Sequence, residues 1–377
     1  FDLTAEGKNK PPVAPDREKT LEAVRRLSRY LDTRMEPGGG WRITHPYWPK
    51  HPRTDPQGIA VLTQGYLTMM RVSDESAYAT RARRGLDWLV KHQRPDGGYG
   101  LPWPFGSSTG HFGAQEHYEP GSGKRHPDNY PLAVVTIAAG NALLEGYTTF
   151  GDRKYLDAAN RTMNYLLRNE KYGFRWLDKN FTRGSIPYCD LEPILPPDDP
   201  RIAKHDVLPA LRNTSVEVYN IDAAAVSFIA SMYQETGDKR LLTYGDALAT
   251  NLASKIREDG SVPYSWYESS PHSAGYASIV YRGLLEYGEF RDRDEWREAA
   301  RKGYTWLANE GTGLVSPDDA YAKVYGTDWS LDIAEYVRNA VQRQRPDGAF
   351  SDGTRTRHDA VMFAALAGML VEMGGTS

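Results

Sequence analysis

The sequence predicts an all-α fold, an (α/α)6-type toroid of helical hairpins that is either complete or one helix short, with no sheet domain. Three observations predict it. A short glycine turn recurs along the chain, as QRPDGGYG at 93–100 and QRPDGAFS at 344–351 show most plainly. An amphipathic segment precedes each copy. Apolar segments rich in Gly, Ala and Ser alternate with the amphipathic ones. Repetition of one supersecondary unit is the mark of a ring or solenoid. An open superhelical solenoid is the competing architecture.

The elements follow in chain order. Residues 1–15 read as an extended leading segment of one domain spanning 1–377. DREKTLEAVRRLSRYLDTR, from Asp16, repeats its apolar residues at helical period and opens on a capping aspartate. A polar outer face fits a solvated outer helix. EPGGGW ends it at Trp41, and DPQGIAVLTQGYLTMMRVS follows from Asp55. That second segment is apolar nearly all round, so it is a buried inner helix. The pair then repeats. Outer helices begin at Glu75, Asp152, Asp238, Asp294 and Asp328. Inner helices begin at Asn129, Ser215, Ser273 and Arg357. Between the last two outer helices there is room only for a short inner helix, around 318–324. Further copies of the turn occur at Asn169–Phe174, Arg257–Gly260 and Asn309–Leu314, so six outer helices imply six hairpins. Glycine suits each exit because a helix stop often needs a left-handed residue.

Loop lengths place the function. Inner helices pass to outer ones through short links, as in TTFGDRKY and ETGDKRL. Outer helices pass to inner ones through 37–54, 94–128, 171–214 and 258–272. These long segments therefore gather over the N-termini of the inner helices. Long loops on a rigid scaffold are where function concentrates.

Composition narrows the classes. The chain has 377 residues, 40% hydrophobic and 25% charged, with a net charge of −3. Basic residues are scattered, so no nucleic-acid partner is expected. No apolar run reaches membrane-spanning length, and a monomer without membrane attachment is expected. The single cysteine, Cys189, excludes an internal disulfide framework and a cysteine-rich metal cage. Histidine and aspartate recur in the loops, so metal binding stays open, but no paired-histidine ligand spacing occurs and no metal or other cofactor is assigned. The first residue is Phe1 rather than methionine, and the expected location is secreted or periplasmic.

All but one of the 9 histidines fall in the long loops or at inner-helix starts: His45, His51, His111, His117, His126, His205, His272 and His358. Aromatic residues collect there too, among them Trp41, Trp48, Tyr99, Trp103, Phe174, Trp176, Tyr264 and Trp266. Flat rings at the mouth of a helical barrel suit the apolar faces of sugars; the alternative is that they plug the barrel end. KRHPDNY places Arg125, His126 and Asp128 at one inner-helix start. LRNTSVEVYNID offers Arg212, Asn213, Glu217, Tyr219 and Asp222 at the next. Glu217 and Asp222 stand on an otherwise apolar helix, where a buried carboxylate is costly unless bonded. SPHSAGY sets His272 and Tyr276 four apart, on one helix face. TRTRHDA crowds Arg355, Arg357, His358 and Asp359 at the last start, where Asp359 could simply neutralise the arginines. Cations at helix N-termini favour an anion, so a sugar acid is the expected substrate.

The alternation of outer helix, glycine turn, long loop and apolar inner helix resembles the α/α-toroid carbohydrate-active enzymes, which include uronate polysaccharide lyases and uronyl glycoside hydrolases. The likeness spans almost the whole chain, and it is architectural. The QRPDGG turns also resemble the repeats of terpene cyclases and prenyltransferases, but the acidic and zinc motifs of those enzymes are absent. The resemblance to toroid lyases implies β-elimination, with Asn213 and Arg212 quieting the substrate carboxylate, His272 or His205 as base, and Tyr276 or Tyr219 as acid. Trp41, Trp48, Trp103, Arg125, Trp266, Arg355, Arg357 and His358 are the expected substrate contacts. A hydrolase instead needs two carboxylates roughly 5–9.5 Å apart. Asp128 with Asp222 or Glu217 is the available pair. The surplus of His and Arg favours the lyase; a glycan-binding module without catalysis is the third reading.

Overall fold

The computed structural model describes residues 16–43, 54–100, 131–169, 173–188, 217–265, 271, 274–309, 341–351 and 356–373, and the backbone alone at 105–106, 125–126, 274–275, 308 and 372. Ten α-helices occur among them. The outer helices are α1 (Arg17–Asp32), α3 (Ser76–His92), α5 (Arg153–Arg168), α7 (Arg240–Lys255) and α9 (Asp294–Asn309). The inner ones are α2 (Pro56–Val72), α4 (Ala133–Phe150), α6 (Tyr219–Thr236), α8 (Ala274–Arg291) and α10 (Thr356–Met373). The chain is an α/α toroid. The expected short inner helix near 318–324, and all of the sixth outer helix but its end at 341–342, lie outside the described residues.

Local chemistry sets the helix starts. Asp16, Asp55 and Asp152 cap α1, α2 and α5 by accepting backbone N–H groups of Lys19, Gln57 and Lys154. Leu21, Val24, Leu27 and Leu31 make the buried stripe of α1. The inner helices bury most of their circumference, and they meet through small residues: a β-carbon on Gly65 of α2 would lie 3.1 Å from the Cα of Ala364 on α10. In the inner ring α10 packs on α2, α2 on α4, α4 on α6 and α6 on α8.

The recurrent turn is one structure used four times. Glu36, Arg94, Arg257 and Arg345 each donate their N–H to the carbonyl four residues on, and each accepts the N–H of the glycine three residues on. Those glycines, Gly39, Gly97, Gly260 and Gly348, have φ between +91° and +101°, which only glycine adopts without strain. Each turn seats on the next outer helix: Gly39 by Arg84 of α3, Gly97 by Arg161 of α5, Gly260 by Lys302 of α9. Gly348 seats on Arg26 of α1, so the last turn closes on the first helix and the ring, rather than the open solenoid, is realised. Gln93 donates to the carbonyls of Gly97 and Ala158, and Gln344 donates to those of Gly348 and Ala23. The two quoted octapeptides are thus equivalent clasps. The exit at Asn169 differs: Gly173 donates directly to the Asn169 carbonyl.

The expectation of no sheet domain needs one small addition. Two ribbons of two residues per strand occur: β1 (Phe105–Gly106) pairs with β2 (Arg125–His126), and β3 (Arg175–Trp176) with β4 (Gly184–Ser185), both antiparallel. Strands this short carry no alternation for a sequence pattern to show.

Candidate active site at the inner-helix rim

At three places the chain beyond an outer-helix exit crosses the first turn of an inner helix, and a side chain there holds it. In α4 the hydroxyl of Thr136 accepts the Tyr99 N–H at 3.0 Å and donates to the Tyr99 carbonyl at 3.2 Å. In α10 one oxygen of Asp359 accepts the N–H groups of Phe350 (2.7 Å) and Ser351 (2.9 Å), and the other accepts the Ser351 hydroxyl. In α6 the Asp222 carboxylate accepts the Ile186 N–H and the Ser185 hydroxyl, both at 2.8 Å. All three residues are fourth in their helices. Asp222 is fully buried. Its burial pushes the carboxyl well above the ordinary range, against the pull of those two hydrogen bonds. This corrects two expectations. Asp359 anchors backbone rather than neutralising arginines, and both oxygens of Asp222 are engaged in fastening the β3–β4 ribbon.

Glu217 precedes α6 and is 2% exposed. One of its oxygens accepts from the Asn251 amide at 2.9 Å and faces Lys255 Nζ at 3.4 Å. Both partners come from α7. Lys255 Nζ also stands 5.6 Å from the ring centre of Tyr219. Burial first, and then the Glu217 and Asp222 charges, push the Tyr219 phenol well up. Beside it, the buried side-chain oxygen of Asn220 has no hydrogen-bond partner among the described residues.

At the seam between first and last inner helices, Asp55 is fully buried. One oxygen caps α2 through Gln57 N–H at 3.0 Å. The other makes no hydrogen bond among the described residues and faces Arg357 Nη1 at 3.7 Å. Arg357 Nη2 donates to the Gln57 amide oxygen. Burial raises the Asp55 carboxyl, and the guanidinium opposes the rise. His358, next to Arg357, is exposed. Across the rim, Tyr276 in α8 is 49% exposed and sets its ring edge-on to Tyr264, centres 6.2 Å apart.

Several expected contacts are elsewhere. Trp41 is completely buried, 5.7 Å from Tyr66 ring to ring, so it packs in the core. Tyr99 is buried with its hydroxyl on the Leu89 carbonyl, and Phe174 is buried against Trp176 and Tyr244. Tyr99 thus packs toward outer helix α3 and Phe174 toward outer helix α7. Arg212, Asn213, His205, His272, Asp128, Trp48, Trp103, Trp266 and Arg355 lie outside the described residues; Arg125 and His126 enter as the backbone of β2.

Asp55, Gln57, Asn251 and Lys255 were not singled out from sequence. The signal for the last two is present: they stand four apart on the Leu248–Leu252 face of an outer helix, where the amphipathic pattern calls for apolar residues. Among the described residues a cavity of about 390 Å3 lies at the opposite mouth, between Gln64, Arg71, Asn141, Glu145, Ser231 and Gln234. There Glu145 faces Arg71 at 3.6 Å, and burial raises its carboxyl. No helix among the described residues is long and apolar enough to cross a membrane.

No known family and no curated protein matches the chain. Solved structures do. A family 76 glycoside hydrolase (mannosidase) from Bacteroides thetaiotaomicron VPI-5482 has a TM-score of 0.61 at 10% identity, over 96% of this chain and 99% of that one. The α-1,6-mannanase of Salegentibacter sp. HEL1_6, in a form made inactive by changing two consecutive aspartates to asparagine and bound to α-1,6-mannotriose, gives 0.60 at 10%, over 94% and 100%. Cellobiose 2-epimerase from Spirochaeta thermophila DSM 6192 gives 0.56 at 14%, over 94% and 98%. At such identities the likeness establishes the α/α-toroid fold.

Proposed function

We propose that this protein is a glycoside hydrolase acting on a glycan chain at the rim of the inner helices. The observation that carries the reading is the set of rim carboxylates held against cations in buried surroundings: Glu217 with Lys255, and Asp55 with Arg357. Hydrolysis needs one carboxyl to protonate the leaving oxygen and another to activate water or attack the sugar. Glu217 and Asp128 are the pair we assign, since Asp222 is engaged in holding the ribbon. The fold shared with mannan-active hydrolases supports hydrolysis over elimination. Arg357 and His358, at the N-terminal end of α10, favour a glycan that carries carboxylates. β-Elimination stands as the second reading, because Tyr276 offers a half-exposed phenol at the same rim.

The test is incubation with α-1,6-mannan and with a panel of uronate polymers. Hydrolysis predicts new reducing ends without the ultraviolet absorbance of an unsaturated uronate. Reducing ends accompanied by that absorbance would establish elimination instead.

A further inference from the structure

The β3–β4 ribbon presents a phenylalanine to solvent at a conformational cost. Phe181 is 64% exposed and has φ +55°. A bulky side chain at positive φ is strained by about 1–3 kcal/mol. Asp178 holds the turn: its carboxylate accepts the N–H groups of Asn180 (2.9 Å), Thr182 (3.1 Å) and Arg183 (2.7 Å), and the Thr182 hydroxyl (2.9 Å). A glycine would occupy position 181 without strain, and the phenylalanine is not buried there. Behind the exposed ring lies a packed aromatic cluster. Phe181 sits edge-on to Trp176, centres 5.5 Å apart at 87°. Trp176 lies near parallel to Tyr244 of α7, and Phe174 wedges edge-on against both.

We propose that Phe181 is a platform for one sugar ring of a glycan chain, on the β3–β4 ribbon beside α7; this rests on the glycan-active reading above. One ring is far too small for a stable protein partner, which needs about 800 Å2 per side. It matches the apolar face of a single pyranose, whose hydroxyl edge would meet the exposed Lys179, Asn180 and Thr182. A ring already set in place by its contact with Trp176 has less to order on binding.

The experiment uses the full chain in native gels cast with α-1,6-mannan or polygalacturonate. Phe181→Gly is expected to weaken retardation about tenfold, equivalent to about 1.4 kcal/mol, without lowering the thermal midpoint or the turnover of short oligosaccharides. Phe181→Tyr is expected to retain retardation. Cleavage of polymer with equal retardation of parent and Phe181→Gly overturns the platform alone. So does a fall in midpoint, which would make the ring a packing element, or a dimer of the parent that Phe181→Gly abolishes. A parent that neither binds nor cuts any polymer overturns both this inference and the reading on which it rests.

Discussion

Gly348 meets Arg26 so closely that a β-carbon would lie 2.5 Å from the arginine's carbonyl oxygen. The two residues belong to the last turn and the first helix. Arg26 Nη2 returns the contact by donating to the Arg345 carbonyl at 2.8 Å. The seam is thus closed by the same clasp that joins neighbours elsewhere in the ring. Gly348→Ala combines a positive φ with a backbone clash and is expected to cost about 3 kcal/mol. Gly151 also has positive φ, +69°, but nothing lies within 4 Å of its β-carbon position. Gly151→Ala should cost only about 1 kcal/mol. Urea midpoints of the two variants check the difference.

Asp222 tests anchoring against chemistry. Asp222→Ala leaves the Ile186 N–H and the Ser185 hydroxyl unpaired in the core and should cost about 2–3 kcal/mol. Asp222→Asn keeps an acceptor for Ile186 and removes the buried charge. The parent carboxyl is raised in the folded state, so its contribution to stability is present at low pH and is lost as pH rises through the folded value. Denaturation of parent and Asp222→Asn across the acid-to-neutral range should therefore show the parent losing ground relative to the variant as pH rises.

Arg357→Met removes the only cation the described residues bring to Asp55. The buried carboxylate then stands without a countercharge, at about 3 kcal/mol near neutrality. Its folded value, already raised, rises further, so the deficit should shrink as pH falls and Asp55 takes up a proton. A deficit that stayed constant with pH would remove the ion pair from the account.

Trp41→Phe should lower stability by about 2 kcal/mol while leaving affinity for glycan unchanged. Equilibrium unfolding and oligosaccharide titration of the same preparation separate the two effects. A selective loss of affinity would return Trp41 to the site.

The ring was legible in the sequence because its causes are local. Four turns carry a glycine where the backbone must be left-handed, and inner helices lack a polar face. Partnership was less legible. Trp41 and Tyr99 have the same loop context as a sugar-facing ring, and only the packing of Tyr66 and the Leu89 carbonyl makes them core residues. Asp222 read as chemistry, and Asp359 as a countercharge for arginines, because the backbone groups they hold lie 36 and 8 residues away. Phe181 could not be found by pattern, since a single strained residue has no period.

The most direct measurement compares Glu217→Gln with Asp222→Asn on the polymer the parent degrades, scoring new reducing ends per folded molecule. The account predicts that Glu217→Gln abolishes turnover and that Asp222→Asn retains most of it. Full activity in Glu217→Gln, or its loss in a well-folded Asp222→Asn, would contradict the assignment of the rim carboxylates.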